Sequence, residues 1–368
     1  MKYNWQQPDW PDFHYEQTPV QATLLSFAEK SGQVSGLLKG LPEQVQIETV
    51  TDLMVAEALK NSEIEGEFFS RADVMSSIRN NLGLNTQPEQ VSDKHARGVA
   101  DLAVNLRQTY RQPLTEEHLF AWHKMLFIEP TSNITPGTWR THKEPMQIIS
   151  GVIGKIKIHF EAPPSEQVAA EMSRFVRWFN DSSQDESIPV LIHAAIAHLY
   201  FESIHPFEDG NGRIGRAIAE KALSMGLGYP VLLSLSQTIQ ANKKAYYGAL
   251  KSAQQSNEIS TWIKWFSETA LDAQIEAEQL IEFTLKKTKL LDRLQDQLNN
   301  RQLKVIQRIL AAGPDGFTGG MSTKKYIALT GASKATATRD LQNLANQGVL
   351  MRTGGGRSTR YHLKITVS

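Results

Sequence analysis

The 368-residue chain contains no cysteine. Disulfides, thiolate nucleophiles and cysteine-ligated zinc sites are therefore excluded. It has no net charge, because 39 Lys and Arg stand against 39 Asp and Glu. No run approaches the ~18 consecutive apolar residues of a membrane span. The opening MKYNWQQPDWPDF lacks the apolar stretch of a secretory leader. These absences set the expectation of a soluble, cytoplasmic protein with no membrane partner. No G-x-x-x-x-G-K-[ST] occurs, which excludes a P-loop. Internal repeats and long low-complexity tracts are also missing.

What is present is length for two or three cored domains, with 40% hydrophobic residues, and an uneven charge. Residues 301–368 hold eleven Lys/Arg and two Asp/Glu, a net +9, so the preceding residues carry −9. A basic C-terminal module follows an acidic body. Residues 1–18, rich in aromatics and proline, read as an extended arm on the surface. From Pro19 to about Leu84 the pattern is helical, and Gly83 with Asn85–Asp93 marks a boundary. Helices then alternate with short loops to about Ala270. The exception is residues 147–160, where Ile156, Ile158 and Phe160 alternate with Lys157 and His159 as in a strand. Gly151 and Gly154 predict a hairpin turn before it.

Residues 205–216 read His-Pro-Phe-Glu-Asp-Gly-Asn-Gly-Arg-Ile-Gly-Arg. Here a histidine (His205), a carboxylate (Asp209), a glycine-rich turn (Gly210, Gly212, Gly215) and two arginines (Arg213, Arg216) share twelve residues. The N–H groups at the start of a following helix would point at an anion, with the helix dipole in support. Two arginines in a first helical turn oppose that dipole unless an anion lies between. The string also fits G-x-G-x-x-G, but Ile192, Ala195, Ile196, Leu199 and Tyr200 make the preceding segment a helix. A dinucleotide fold would need a strand there. The segment reads as a polyphosphate cradle beside a base.

Every specified position of this stretch matches HPFx[D/E]GNGRxxR, so the chain resembles the Fic family, over roughly residues 45–270. The resemblance implies a mainly α fold: a Fic helical core with a β-hairpin flap, an N-terminal helical segment and a C-terminal winged helix. The corresponding domains are 1–90 (with an inhibitory helix), 91–270 (the core), 271–300 (a helical linker) and 301–368. It implies a protein adenylyltransferase that moves AMP from ATP to a Ser, Thr or Tyr hydroxyl. His205 would accept the hydroxyl proton, as suits a group titrating near neutral pH. Asp209 would hold Mg²⁺ against the α- and β-phosphates. Gly210, Asn211, Gly212, Arg213 and Arg216 would bind the phosphates. Around Asn242 and Lys243, Tyr246 and Tyr247 are read either as base-stacking rings or as core aromatics. The hairpin at 147–160 resembles the family's flap, an exposed edge that would pair with an extended segment of a target protein.

Residues 61–67, Asn-Ser-Glu-Ile-Glu-Gly-Glu, resemble the family's inhibitory motif [S/T]xxxE[G/N]. Asn61 stands where the hydroxyl residue belongs, with Ser62 beside it. The resemblance implies that Glu65 pairs with Arg216 in place of the ATP γ-phosphate and leaves the α-phosphate misaligned.

Residues 302–312, 323–330 and 333–347 read as three helices, followed by Val349-Leu350, Gly354–Gly356 and a strand near Arg360–Leu363. This order resembles a winged helix. Lys334, Thr336, Thr338 and Arg339 would face outward, with Arg352, Arg357 and Arg360 on or near the wing. DNA through 301–368 and a protein-docking role both remain open. Apolar residues along 268–299 match a heptad irregularly, which favours packing within the chain over a coiled-coil homodimer. The alternatives to adenylyl transfer are AMP removal, another nucleotide, or a DNA-binding regulator whose Fic site senses a ligand or modifies itself.

Overall fold

The computed structural model describes residues 2–128, 134–150, 157–294, 297–313 and 316–364, apart from the side chains of Ile149, Ser150 and Arg357. The flap tip at 151–156, with Gly151, Gly154 and Ile156, lies outside the described residues, as does the Arg357 side chain. Two compact units emerge: Met1–Ser35 with Glu43–Ala277, and Gly36–Pro42 with Glu278–Ser368.

In chain order the elements of the first unit are α1 (Gln21–Lys39, whose residues from Gly36 belong to the second unit), α2 (Glu43–Ile64), α3 (Arg71–Asn81), α4 (Lys94–Gln108) and α5 (Glu116–Leu126). The hairpin β1 (Gln147–Ser150) and β2 (Lys157–Glu161) follows. Then come α6 (Ser165–Ser182), α7 (Val190–Ile204), α8 (Asn211–Leu227), α9 (Leu235–Ala241), α10 (Lys243–Ala253) and α11 (Ser260–Leu294), which ends in the second unit. Side-chain caps start several of these helices. Ser70, Asp93, Thr115 and Ser234 each accept a backbone N–H from the first turn of α3, α4, α5 and α9.

α7 is the axis of the unit. Every residue from Leu191 to Ile204 is buried, as suits a helix with few polar positions. His193 and His198 lie inside with the rest. His193 Nε2 meets the Phe179 carbonyl at 3.2 Å and His198 Nε2 meets Tyr246 Oη at 2.9 Å. α8 packs along α7, so the loop between them is held at the centre of the fold.

The N-terminal arm differs from a surface strand. It forms a 3-10 turn at Asn4–Gln6 with Asn4 buried. Asn4 donates its backbone N–H to the Gln254 carbonyl (2.8 Å) and its amide to Ser203 Oγ (2.8 Å). Trp5 Nε1 donates to the Glu161 carbonyl at 2.7 Å. The arm is drawn in by these polar bonds together with its aromatics, Tyr3 packing edge-on to Phe160 and Trp10 and Phe13 to Tyr200.

β1 and β2 pair antiparallel, Gln147 opposite Glu161 and Ile148 opposite Phe160, with a register shift between Ile148 and Ile149. Phe160 is fully buried while Ile158 is 46% exposed. The hairpin is thus anchored through Phe160, while Ile158 stands clear.

The second unit holds α12 (Asn300–Leu310), α13 (Thr323–Thr330), α14 (Lys334–Asn346), β3 (Leu350–Thr353) and β4 (Arg360–Leu363). β3 and β4 are antiparallel, and Met321 bridges Tyr361 as a third short contact. This is the winged-helix order. Val305, Ile306, Ile309, Tyr326, Ala337, Leu341 and Leu344 form its core with Leu290 and Leu294. The largely buried Asp340 accepts from Tyr326 Oη (2.8 Å) and Arg301 Nε (3.0 Å), tying α12, α13 and α14 together. Lys334 and Arg339 face solvent, and Thr336 and Thr338 are half-buried.

Candidate active site

His205 caps the C-terminus of α7 in the left-handed region, φ 51° and ψ 61°. Among the described residues it is the one non-glycine with positive φ. That conformation costs about 1–2 kcal/mol for a residue with a Cβ, and such strain collects at functional sites. The surroundings that hold it centre on Arg140, which is buried. Its Nε donates to the His205 carbonyl (2.8 Å) and its Nη2 to the carbonyls of Ile204 (3.3 Å) and Pro163. Its Nη1 donates to Ser165 Oγ (2.9 Å), and its backbone N–H to the Pro206 carbonyl (2.9 Å). Sequence reasoning missed Arg140, because a lone arginine in a loop reads as surface charge.

Behind the loop Phe207 stacks on His123, centroids 4.2 Å apart and planes 6° from parallel. Asn211 closes the turn on itself. Its Oδ1 accepts from the Phe207 N–H (2.9 Å) and its Nδ2 donates to the Phe207 carbonyl (2.8 Å). Toward a ligand it offers its main chain rather than its amide. Gly210 is the N-cap of α8 with φ 83°, a value that suits glycine. The first helical bond runs from the Ile214 N–H to the Gly210 carbonyl at 3.0 Å. The N–H groups of Asn211, Gly212 and Arg213 are left outside the ladder, as at any helix start. Gly212 and Gly215 belong to α8 rather than to a turn. Their role is space, since a Cβ on Gly212 would collide with Glu65 Oε1 and one on Gly215 would sit 2.5 Å from Glu202 Oε1.

These groups line a cavity of about 480 Å³, with His205, Gly210–Gly212, Glu65 and Tyr247 on its wall and Ile148, His159 and Phe160 of the hairpin beside them. The size is ordinary for a small-molecule site. Asp209 stands at its edge, 59% exposed and 3.9 Å from Arg213 Nη2, and Asp209 Oδ1 accepts from the Gly210 N–H at 2.6 Å. No cluster of three or more metal-binding side chains occurs among the described residues. One open carboxylate suits Mg²⁺ that takes its other ligands from phosphate oxygens and water. Glu208 also borders the cavity, and its Oε1 lies 2.8 Å from His142 Nδ1.

The end of α2 closes the arginine side. Glu65 Oε1 lies 2.7 Å from Arg216 Nη2, with the arginine 1% exposed. Asn61 completes the grip: its Oδ1 and its carbonyl accept from Arg216 (2.6 and 3.0 Å), and its Nδ2 donates to the Arg213 carbonyl (3.2 Å). An amide in place of a hydroxyl therefore binds both arginines' turn of α8. Glu67, two residues on, reaches Arg213 Nη1 at 2.6 Å. Burial opposes the Glu65 charge, but Arg216 outweighs it and leaves the carboxyl below the usual carboxylate range. Burial likewise opposes the Arg216 charge, and Glu65 more than restores it.

Burial pushes His205 down to about 4, with Arg140 adding to the effect. The imidazole is neutral at neutral pH, the form a proton acceptor needs. Tyr246 is buried, with its hydroxyl at His198. Tyr247 is 39% exposed, and its hydroxyl is 3.4 Å from Glu65 Oε2. Lys243 Nζ lies 5.9 Å from the Tyr247 ring centre, and no helix is long and apolar enough to cross a membrane among the described residues.

Residues 113–223 match the family model described as Fic/DOC family. Residues 3–84 match a domain of unknown function, DUF4172, and residues 317–364 match "Transcriptional regulator DIP2311-like, C-terminal domain". Relatives named "Protein adenylyltransferase Fic" from Drosophila mojavensis and Drosophila yakuba are 34% and 37% identical over 106 residues, 29% of this chain. The match spans 20% of each of those proteins. Among solved structures, a Fic family protein from Desulfovibrio desulfuricans G20 covers 96% of this chain and 98% of its own at TM-score 0.52 and 18% identity. A Fic domain containing signaling protein from Bacteroides thetaiotaomicron covers 70% and 97% at TM-score 0.51 and 18% identity. The structural likeness is one of fold.

Proposed function

Because residues 113–223 match the Fic/DOC family model, we propose that the chain is a protein adenylyltransferase held in check by its own Glu65. The observation that carries this reading is the juxtaposition of a cavity walled by a neutral His205 and the start of α8 with two buried arginines of α8, each already neutralised by a carboxylate of which one, Glu65, stands on the cavity wall. Only an anionic ligand could replace those carboxylates without leaving buried charge unpaired.

In the reaction, His205 takes the proton of a Ser, Thr or Tyr hydroxyl on a target segment paired along the hairpin. The freed oxygen attacks the α-phosphorus of ATP, the bond to the bridging oxygen breaks, and pyrophosphate leaves with Arg213 and Arg216 holding its charge. Asp209 would hold Mg²⁺, whose part is to neutralise phosphate charge. Glu65 occupies the Arg216 guanidinium until it is displaced. Tyr247 is the ring placed to meet a nucleobase at the rim.

A second reading is a DNA-binding regulator whose Fic site modifies the protein itself. The matched description of residues 317–364 and the exposed Lys334 and Arg339 of α14 favour it, and it is compatible with the first. The test is label transfer from [α-³²P]ATP with Mg²⁺ by wild type, Glu65→Gly and His205→Ala, with and without cell lysate. Label gained with Glu65→Gly and lost with His205→Ala supports adenylyl transfer. Label in none of them overturns it and leaves AMP removal, another nucleotide or DNA binding. Label on the chain itself without lysate favours self-modification.

A further inference from the structure

α7 is apolar but for a few positions, and a carboxylic acid at Glu202 needs a reason. A leucine there would continue the run, whereas an unpaired buried polar group is costly. Glu202 is 3% exposed. Its Oε1 has no hydrogen-bond partner among the described residues, and His205 Nδ1 and His198 Nδ1 have none of good geometry, although the main chains of Glu202 and Gly215 lie close to the two rings. These atoms surround one spot. Glu202 and His205 are three apart at the end of α7, so they share a face, and Glu202 Oε2 lies 3.8 Å from His205 Nδ1. Gly215 of α8 makes the room, since a Cβ there would meet Glu202 Oε1 at 2.5 Å and His198 Nδ1 at 3.2 Å. With Nδ1 turned into the protein, Nε2 is the nitrogen left for the cavity.

We propose that Glu202 is the positioning residue of His205: its carboxyl takes the imidazole Nδ1–H, which fixes the neutral tautomer with Nε2 bare toward the cavity. The proposal deepens the reading of His205 as the base and rests on it. The groups facing Glu202 are Arg216 and Glu65, with His198 on its own helix and Tyr246 and Tyr247 on α10. His205 also sees Arg140. Burial pushes Glu202 up to about 8, so at neutral pH it is a neutral acid. Its carbonyl oxygen accepts from His205, and its O–H is turned to the His198 side. Pairing of this kind is often loose without substrate and tightens when substrate binds. When Nε2 receives the hydroxyl proton, Nδ1–H stays in place and points the imidazolium at Glu202. An ionised Glu202 stabilises that cation better than a neutral one, so the rate rises with pH as Glu202 ionises.

The experiment uses the full chain. Imidazole ¹⁵N shifts at neutral pH report the His205 tautomer without nucleotide. AMP transfer in the Glu65→Gly background reports kcat, KM for ATP and the pH profile. Glu202→Leu is expected to shift His205 away from the Nδ1–H form and to lower kcat about 10- to 100-fold with KM within about threefold. Glu202→Gln, whose amide oxygen still accepts Nδ1–H, is expected to keep the tautomer and lose the alkaline rise. Gly215→Ala, which displaces the carboxyl without altering it, is expected to lose the tautomer as well, and it serves if Glu202→Leu does not fold. A folded Glu202→Leu or Gly215→Ala with an unchanged tautomer overturns the proposal, as does an unchanged pH profile in Glu202→Gln. If Glu65→Gly transfers no AMP while the tautomer depends on Glu202, adenylyl transfer fails and the positioning contact stands.

Discussion

Replacing Glu65 with glycine perturbs one contact whose energetics can be worked from the structure. The pair is 2.7 Å long, with Arg216 1% and Glu65 30% exposed. Removing one member of a fully buried ion pair costs about 3–5 kcal/mol. Two features reduce that here: Glu65 keeps some contact with water, and Arg216 keeps two bonds to Asn61. The resting protein should therefore lose roughly 2 kcal/mol, seen as a fall of several degrees in the melting temperature. A nucleotide phosphate that takes over Arg216 recovers this loss, which corresponds to about 10- to 100-fold tighter ATP binding. Realigning an α-phosphate displaced by ~1 Å adds on the order of 10²-fold in turnover. Calorimetric titration of ATP and timed label transfer measure the two parts. The carboxyl of Glu65 is held below its ordinary range. Its contribution is therefore complete above the unfolded value of about 4.3 and fades only as pH falls through the folded value. The brake should hold at full strength across neutral pH and weaken in acid. A Glu65→Gly protein that binds ATP no better and transfers no more label than wild type refutes the reasoning.

Glu67→Ala frees Arg213 from a carboxylate 40% exposed. Because such a pair is worth about 0–1 kcal/mol, ATP binding should tighten by no more than about fivefold by the same titration. Arg140→Leu leaves the buried carbonyls of Ile204, His205 and Pro163 without their donor. A loss of about 2–4 kcal/mol in chemical denaturation is expected, with AMP transfer falling in step. Glu202 is pushed up to about 8, so its stabilising effect is full below its unfolded value and is lost as pH rises through 8. Glu202→Gln should flatten part of the alkaline fall in stability, measured as the difference in melting temperature from wild type between pH 5 and 9. On the reading of the second unit as a DNA-binding module, Lys334→Ala and Arg339→Ala should weaken binding to duplex DNA uniformly across sequences. Each should cut the salt slope of binding by about one in fluorescence anisotropy.

Much of this architecture was legible because two strong signals coincide. The 3.6-residue periodicity marks α7, and the dense motif after it marks a loop feeding a helix start. The winged-helix order was also legible, from three short helices followed by a glycine-rich turn and a strand, and in the structure Asn299, Ser322 and Ser333 cap those helices. What escaped depended on contacts distant in sequence. Arg140 reaches a loop some 65 residues away, and Asn4 reaches α7 almost 200 residues away. No local pattern separates such residues from surface ones. Glu202 escaped for a different reason. An acid three residues before a histidine on a helix is commonplace, and only the burial of both, with Gly215 across from them, sets this one apart.

The two helical glycines give the site its logic. A side chain at either position would push away a carboxylate: Glu65 at Gly212, Glu202 at Gly215. Both carboxylates act on the electrostatics of Arg216, and both raise its hold on a proton. Glu65 in turn raises the proton affinity of Glu202 and of His205. On the proposed reading, the brake and the base are thus not separate devices. When Glu65 leaves, Arg216 faces Glu202 less shielded, and the acid ionises more readily. When a triphosphate arrives, negative charge returns to the same guanidinium. On this arrangement ligand exchange at Arg216 both admits the nucleotide and retunes the group behind His205. The missing Cβ atoms at Gly212 and Gly215 let Glu65, at the end of α2, and Glu202, on α7, both come close to α8.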